Sequence, residues 1–348
     1  MSDPEDLNSA TASAPSRGDV LREAIQRYSA LQPELRQVAD EFVAMVTVLL
    51  DEAGINYVSV TGRAKSIASF AGKAGRTVDG EPVYVDPFSE ITDTVGVRVV
   101  TYLQGDVAAV ADLLAHEFSV LDDRDLGQET ASEGRWGYAS RHLLVTLDDE
   151  GVDPAYVHLR GRSASVQVRT ILQHAWAEFE HDVRYKGSVP AADLPDLDRR
   201  FTLAAGLLEL ADREFTAIRD RLLSGVGAPG LESGDDDPRL SGTDLAAFLS
   251  SQFQEAGWSR TDHYTWIAGL LLELGITSLD ELGGLLGTID VDGINERMGY
   301  KYPAGAVRRL DDALLAVFGP RYIRLHGNAH RVESLTARLE KVRGSAGL

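Results

Sequence analysis

SVQVRTILQHAWAEFEHDVRYK, residues 165–186, is the stretch on which the reading of this chain turns. Polar and apolar side chains alternate up to Thr170 as along a strand, and apolar residues then recur at helical spacing through Leu172, Trp176, Phe179 and Val183. The stretch therefore predicts a strand running straight into a helix, with Leu172, Trp176, Phe179 and Val183 as the packing surface and Glu178, Glu180 and Asp182 on a solvated face. His174 and His181 stand about two turns, or ~10 Å, apart along such a helix, too far to share one metal ion. The i,i+4 histidine spacing of a zinc-binding helix is missing.

Upstream, "NYVSVTGRAK", "TVGVRVVTYL" and "SRHLLVTL" read as strands, and "KSIASFAGKAGR" and "DVAAVADLLAHEF" as helices. A further strand pair is expected around "AYVHLRG" and "SASVQVRT". This order predicts an α/β fold with a mixed sheet rather than a doubly wound parallel one. Residues 1–18 read as a disordered tail. From Asp19 to about Ala53 the apolar spacing describes one long amphipathic helix, or two kinked near Pro33. Another helix follows at about 194–223. Residues 224–241, rich in Gly, Pro, Ser and Asp, read as a linker, and 242–348 as a small all-helical domain whose helices close on glycines.

Composition narrows the function. The chain has 348 residues, 34 Lys and Arg against 54 Asp and Glu, and a formal charge of −20. Such a charge repels nucleic acid and anionic membranes, so an anionic ligand must meet a local cluster of cations. With no cysteine, disulfides, thiolate metal sites and cysteine nucleophiles are excluded. The acidic start lacks a signal-peptide pattern and no segment is apolar enough to span a bilayer, which predicts a cytoplasmic protein.

Several segments supply such cations. In "GRAKSIASFAGK", Arg63 and Lys65 end a strand while Ser69 and Lys73 are i,i+4 on the next helix, so the four converge on one anion, most simply a phosphate. A P-loop is ruled out, because Ile67 stands where its frame requires glycine and Ala74 where it requires a hydroxyl. "DTVGVRVV" sets Asp93 at the head of a strand as a Mg²⁺ ligand or a plain turn residue, with Gly96 and Arg98 beyond it. "GRWGYASRH" offers Tyr138 for stacking on a base or packing on the sheet, with Ser140 and His142 after it. "DVDG" at 290–293 lacks the spacing of a calcium loop.

Taken in order, these motifs resemble the synthetase domain of the RelA/SpoT family, the guanosine tetra- and pentaphosphate synthetases, and above all its small stand-alone members. The resemblance rests on Arg63, Lys65, Ser69 and Lys73, on Asp93, Gly96 and Arg98, on Gly137, Tyr138, Ser140 and His142, and on Gln167–Thr170 with His174–Lys186. It covers roughly residues 55–190. It implies a nucleotidyltransferase-like mixed sheet flanked by helices, and transfer of pyrophosphate from ATP to the 3′-hydroxyl of GDP or GTP. Arg63, Lys65, Ser69, Lys73 and Arg98 would then bind ATP. Asp93 would hold Mg²⁺, with Asp93, Ser165 and Gln167 as the catalytic positions. Tyr138, His142, Arg169, His174 and Lys186 would take the guanosine nucleotide. Some small members also oligomerise, which makes a homo-oligomer a possible partner state.

Ser165 departs from the pattern, since the family strand carries glutamate there. A neutral hydroxyl is no general base, and losing the carboxylate costs about 10²–10⁴-fold in rate. Three readings stay open: an active synthetase in which a carboxylate such as Glu178 or Glu180, or a metal-bound hydroxide, covers for Ser165, a nucleotide-binding regulatory protein without turnover, and a relative that pyrophosphorylates the 3′ end of tRNA.

Overall fold

The structure is a computed structural model that describes residues 16–127, 129, 140–147, 154–186, 194–225, 240–254, 256–257 and 259–344. Its first element, α1 (Arg17–Ala53), is a single helix that carries Pro33 within it. Ser16 caps it by accepting from the Asp19 amide, so the helix begins inside the segment read as a tail. Tyr28, Gln32, Leu35, Val38, Phe42, Val46 and Leu50 recur at three- and four-residue steps and form its buried face.

Against that face lies a five-stranded sheet in the order β1-β4-β7-β6-β5. The strands are β1 (Tyr57–Ala64), β4 (Val95–Thr101), β5 (Ser119–Asp125), β6 (Arg141–Thr146) and β7 (Ser163–Thr170). Only β4 and β7 run parallel, and the other neighbours are antiparallel. The sheet is therefore mixed, as the order of elements predicts. Val95, Val97 and Val99 of β4 and Ala164, Val166 and Val168 of β7 point into one core with α1 and α4 (Gln104–Glu117). The alternate residues face the other way, and the site is built on them.

Two expectations need correction. "AYVHLRG" is not a strand but mostly a 3₁₀ turn, Pro154–Leu159. With β4 on one side of β7 and β6 on the other, β7 has no free edge for it to join. β5 goes unread in the sequence because "SVLDDRD" places acids on an edge strand, where both faces of the outer half are solvated. The short hairpin of β2 (Thr77–Val78) and β3 (Glu81–Pro82) also escapes, although Asp79 and Gly80, at φ 52° and 86°, form the Asp-Gly turn that hairpins favour.

Residues 240–344 add helices around a second apolar cluster that includes Leu245, Leu249, Ile267, Leu271, Leu282, Leu310, Leu314 and Leu335. Gly275 and Gly299 end two of these helices in the left-handed region, at φ 85° and 65°. Asp290 of the "DVDG" run caps a helix, accepting from the Gly293 amide at 2.9 Å. Among the described residues no helix is long and apolar enough to cross a membrane.

Three glycines from distant segments meet where these helices dock on α1. A Cβ on Gly305 would lie 2.5 Å from the Gly54 Cα and 2.7 Å from the Ala53 carbonyl oxygen, and one on Gly257 would lie 2.8 Å from that same oxygen. Backbone hydrogen bonds close the seam, Gly305 to the Glu52 carbonyl at 3.1 Å and Ala306 to the Gly257 carbonyl at 3.2 Å. Gly305 has an ordinary φ of −69°, so what demands glycine there is the close approach. Gly305→Ala is expected to lower stability by about 1–3 kcal/mol through overpacking, read from the denaturant midpoint. An unchanged midpoint would show that the seam is looser than its distances imply.

Candidate functional site

The register of β4 with its neighbours sets the site out in rows. Arg63, Gly96 and Ser165 lie side by side across β1, β4 and β7, with Leu144 of β6 beyond them. The next row holds Thr61, Arg98, Gln167 and His142, and the one after it pairs Val100 with Arg169. Side-chain alternation puts these residues on the face away from the α1 core. A Cβ added at Gly96 would meet nothing closer than 3.9 Å, so packing does not require glycine there. The bare backbone leaves a floor open to a ligand.

At one end of the rows stands Asp93. Its carboxylate takes Lys65 Nζ at 2.9 Å on Oδ2 and Lys73 Nζ at 3.0 Å on Oδ1. The second contact is an ion pair not aligned as a hydrogen bond. Burial pushes the Asp93 carboxyl up, but the two ammonium groups outweigh it and hold the group below the usual carboxylate range. Local structure fixes this arrangement. The Lys65 amide donates to Thr94 O at 2.8 Å, tying the end of β1 to the head of β4. Lys65 O accepts from Tyr28 OH at 2.7 Å, and the Tyr28 ring stacks on Phe70 of α2 (Ile67–Ala74) at 4.0 Å between centroids. Ser66 caps α2 and accepts at Oγ from the Ser69 amide, while Ser69 and Arg63 remain exposed.

The other end is built by α5 (Ile171–Lys186), which returns across the sheet after β7. Thr170 and Gln173 lock the junction reciprocally. The Thr170 amide donates to Gln173 Oε1 at 2.9 Å, and the Gln173 amide donates to Thr170 Oγ1 at 3.2 Å. This is a capping box, written in the sequence as Thr-Ile-Leu-Gln. Thr170 Oγ1 also donates at 2.8 Å to Asp212, a buried carboxylate on α6 (Leu194–Gly225).

One turn and two turns into α5, His174 and Glu178 face the sheet. Oε1 of Glu178 lies 3.0 Å from Arg98 Nη1, 3.5 Å from Arg169 Nη2 and 3.7 Å from His174 Nδ1. Glu178 stays exposed, as its spacing suggests, yet its carboxylate is the anionic centre of this end. Burial lowers the His174 pKa, Arg169 and Arg98 lower it further, and Glu178 opposes them. His142 is lowered chiefly by burial, then by Arg169 and Arg124. The expected packing surface of α5 shrinks to Trp176, against Phe201 of α6 at 5.3 Å, and half-buried Leu172. Phe179 and Val183 are exposed.

The predicted residues Arg63, Lys65, Ser69, Lys73, Asp93, Arg98, His142, Ser165, Gln167, Arg169 and His174 thus come from β1, α2, β4, β6, β7 and α5 onto one face. Tyr138 lies outside the described residues, as does the side chain of Lys186. The sequence reading missed the capping box and Asp212. The first was readable as a Thr-x-x-Gln pattern, whereas Asp212 sits 42 residues downstream of its partner with no local signal.

Residues 62–189 match the family model described as a region found in RelA/SpoT proteins. Over 164 residues the chain is 30% identical to GTP pyrophosphokinase YjbM of Bacillus subtilis, an alignment covering 46% of this chain and 71% of that protein. This chain belongs to the RelA/SpoT family. Solved structures of the small alarmone synthetase 1 from Bacillus subtilis, one alone and one bound to its product pppGpp, are 25% and 24% identical. They cover 57% and 56% of this chain and 98% of theirs, each at a TM-score of 0.44. The fold stands on the sheet order itself. The RelA/SpoT match spans the whole two-ended face and stops short of residues 240–344.

Proposed function

We propose that this chain is a GTP pyrophosphokinase that moves the β,γ-pyrophosphate of ATP onto the 3′-hydroxyl of GDP or GTP. The observation that carries the reading is the Lys65–Asp93–Lys73 cluster beside the bare Gly96 floor. YjbM bears the name of that activity, and another solved form of small alarmone synthetase 1 is bound to AMPCPP. Transfer of this type leaves a protein mainly to align the reactants and neutralise charge, which suits a cationic basin better than a covalent nucleophile.

Lys65, Lys73 and Ser69 hold the polyphosphate, and Arg63 and Arg98 flank the base. With Lys65 and Lys73 engaged by phosphate oxygens, the Asp93 carboxylate would be the group to hold Mg²⁺. One carboxylate completed by substrate phosphates is the donor set Mg²⁺ commonly accepts. Mg²⁺ held there would supply charge neutralisation at the transferred group. His142, Gln167 and Arg169 line the acceptor side.

Purified protein given ATP, Mg²⁺ and GDP or GTP should release AMP and a guanosine carrying a 3′-pyrophosphate. Ser165 favours one other reading, a nucleotide-binding regulatory protein without turnover. In that case ATP raises the melting temperature but no AMP forms. Absence of both AMP and a thermal shift sinks the two readings together.

A further inference from the structure

If the chain transfers pyrophosphate, something must take the proton from the attacking hydroxyl, and β7 offers no carboxylate for it. Ser165, beside Gly96 in the row nearest Asp93, is a neutral hydroxyl. Asp93 lies at the opposite end, between Lys65 and Lys73, and is the carboxylate assigned to charge neutralisation at the polyphosphate. That leaves the far end of the face, where His174 and Glu178 stand one turn apart on α5.

We infer that His174 is the proton acceptor of this site and that Glu178 is its positioning residue, a pair that does the work of the missing β7 glutamate. The inference rests on the proposed function and deepens it. Three observations support it. His174 Nδ1 is shut off from solvent without a hydrogen-bond partner and faces Glu178 Oε1 at 3.7 Å. A slight closure on ligand binding turns that separation into a hydrogen bond, since catalytic contacts are commonly long in the empty site. With Nδ1 so placed, Nε2 is the ring nitrogen left to meet a substrate, and the side chain keeps 31% exposure to do so.

The charged groups facing the imidazole are Arg98 from β4, Arg169 from β7 and Glu178 from its own helix. Burial and the two arginines outweigh the carboxylate, so the ring is neutral at neutral pH and free to accept a proton. Glu178 counters the arginines and steadies the imidazolium once formed, the part a carboxylate plays beside a catalytic histidine. Arg98 and Arg169 gain a second use for their charge when nucleotide arrives, which loosens their hold on Glu178 and frees it for His174.

The step balances. The 3′-oxygen bonds to the β-phosphorus as its proton passes to His174 Nε2. The bond from the β-phosphorus to the oxygen bridging to the α-phosphate breaks, AMP leaves with that electron pair, and the imidazolium then returns its proton to solvent.

The test uses full-length wild type, His174→Gln, Glu178→Gln, Ser165→Glu and the double variant Ser165→Glu/His174→Gln, assayed for AMP release across pH with thermal melts alongside. His174→Gln should lower kcat by about 10²–10⁴-fold with KM for ATP nearly unchanged. The wild-type rate should rise with pH through an apparent pKa below about 6.5, the ordinary imidazole value. Glu178→Gln should move that limb further down, because it removes the one group opposing the arginines. Ser165→Glu should restore at least about tenfold to the His174→Gln background and shift the limb into the carboxylate range, which no repair of folding would do. Wild type that releases AMP while His174→Gln keeps its kcat, or loses only KM, overturns this inference alone. Wild type that releases no AMP overturns the functional reading and the inference together.

Discussion

Asp93→Ala is expected to reduce AMP release by about 10²–10⁴-fold while KM for ATP changes little or falls. The asymmetry follows from where the carboxylate sits. In the ligand-free site it neutralises Lys65 and Lys73. Removing it leaves both ammonium groups for the polyphosphate, so binding does not suffer. What is lost is the carboxylate that joins Lys65 and Lys73 at the edge of the Gly96 floor, and with it the group proposed to hold Mg²⁺ and to neutralise charge during transfer. Stability should hold, because the Asp93 side chain keeps 35% of its exposure and ion pairs that open to solvent contribute about 0–1 kcal/mol. A melt that matches wild type and a kcat within about threefold would remove Asp93 from the reaction.

The same aspartate shows what the sequence makes legible. Asp93, Gly96 and Arg98 belong to one strand and the turn that leads into it, and Arg63 to Lys73 to one strand-helix corner, so local pattern suffices to place each group. Joining the two groups needs only that β1 and β4 be neighbours, the usual case for strands that follow one another into a sheet. Glu178 is different. Its spacing among Glu180 and Asp182 reads as a wet helix face, and only the return of α5 over Arg98 and Arg169 brings its exposed carboxylate onto those two cations. That return is set by the Thr170–Gln173 box and by Asp212, a partner 42 residues away. Long-range pairings of this sort leave no periodic trace. Nor does the meeting of Gly54, Gly257 and Gly305, since each glycine alone reads as a helix end or a loop. The strand wrongly expected at Pro154–Leu159 fails for a related reason. Pattern reports that a segment suits a sheet, while a free edge to receive it depends on the order of the other strands.

Asp311→Ala is expected to destabilise the helical region by about 3–5 kcal/mol, a large share of the ~5–15 kcal/mol that holds a protein folded. Asp311 is 2% exposed and is the hub of a buried charge cluster. Arg331 grips it with two hydrogen bonds at 2.6 and 2.8 Å, and Arg338 donates to it at 2.8 Å. Arg308 lies 3.4 Å away and Tyr322 OH also donates. Cutting out the carboxylate strands these guanidinium groups, with Asp312 left to pair Arg338 and Glu52 left to pair Arg308. The pH dependence has a definite sign. Burial works to raise the Asp311 pKa, but Arg338, Arg331 and Arg308 prevail and hold it far below the usual carboxylate range. A group depressed in the folded state lends stability that is fully present above its unfolded value and fades as pH falls below about 4. Wild type should therefore lose stability below about pH 4 more steeply than Asp311→Ala, which has already forfeited that contribution. Guanidinium titrations of both proteins at several pH values measure the difference. Arg308 bonds Glu52 of α1 as well as approaching Asp311, so the loss reaches the seam where the helices meet the sheet domain. Fluorescence of Trp266, stacked under Arg331 at 4.3 Å, follows the helical region, and AMP release follows the nucleotide face. If the variant melts with the wild-type midpoint, the buried cluster contributes no net stability and the three arginines find other partners. If the tryptophan signal falls well before AMP release does, the helices are an independent unit that the glycine seam merely holds in place.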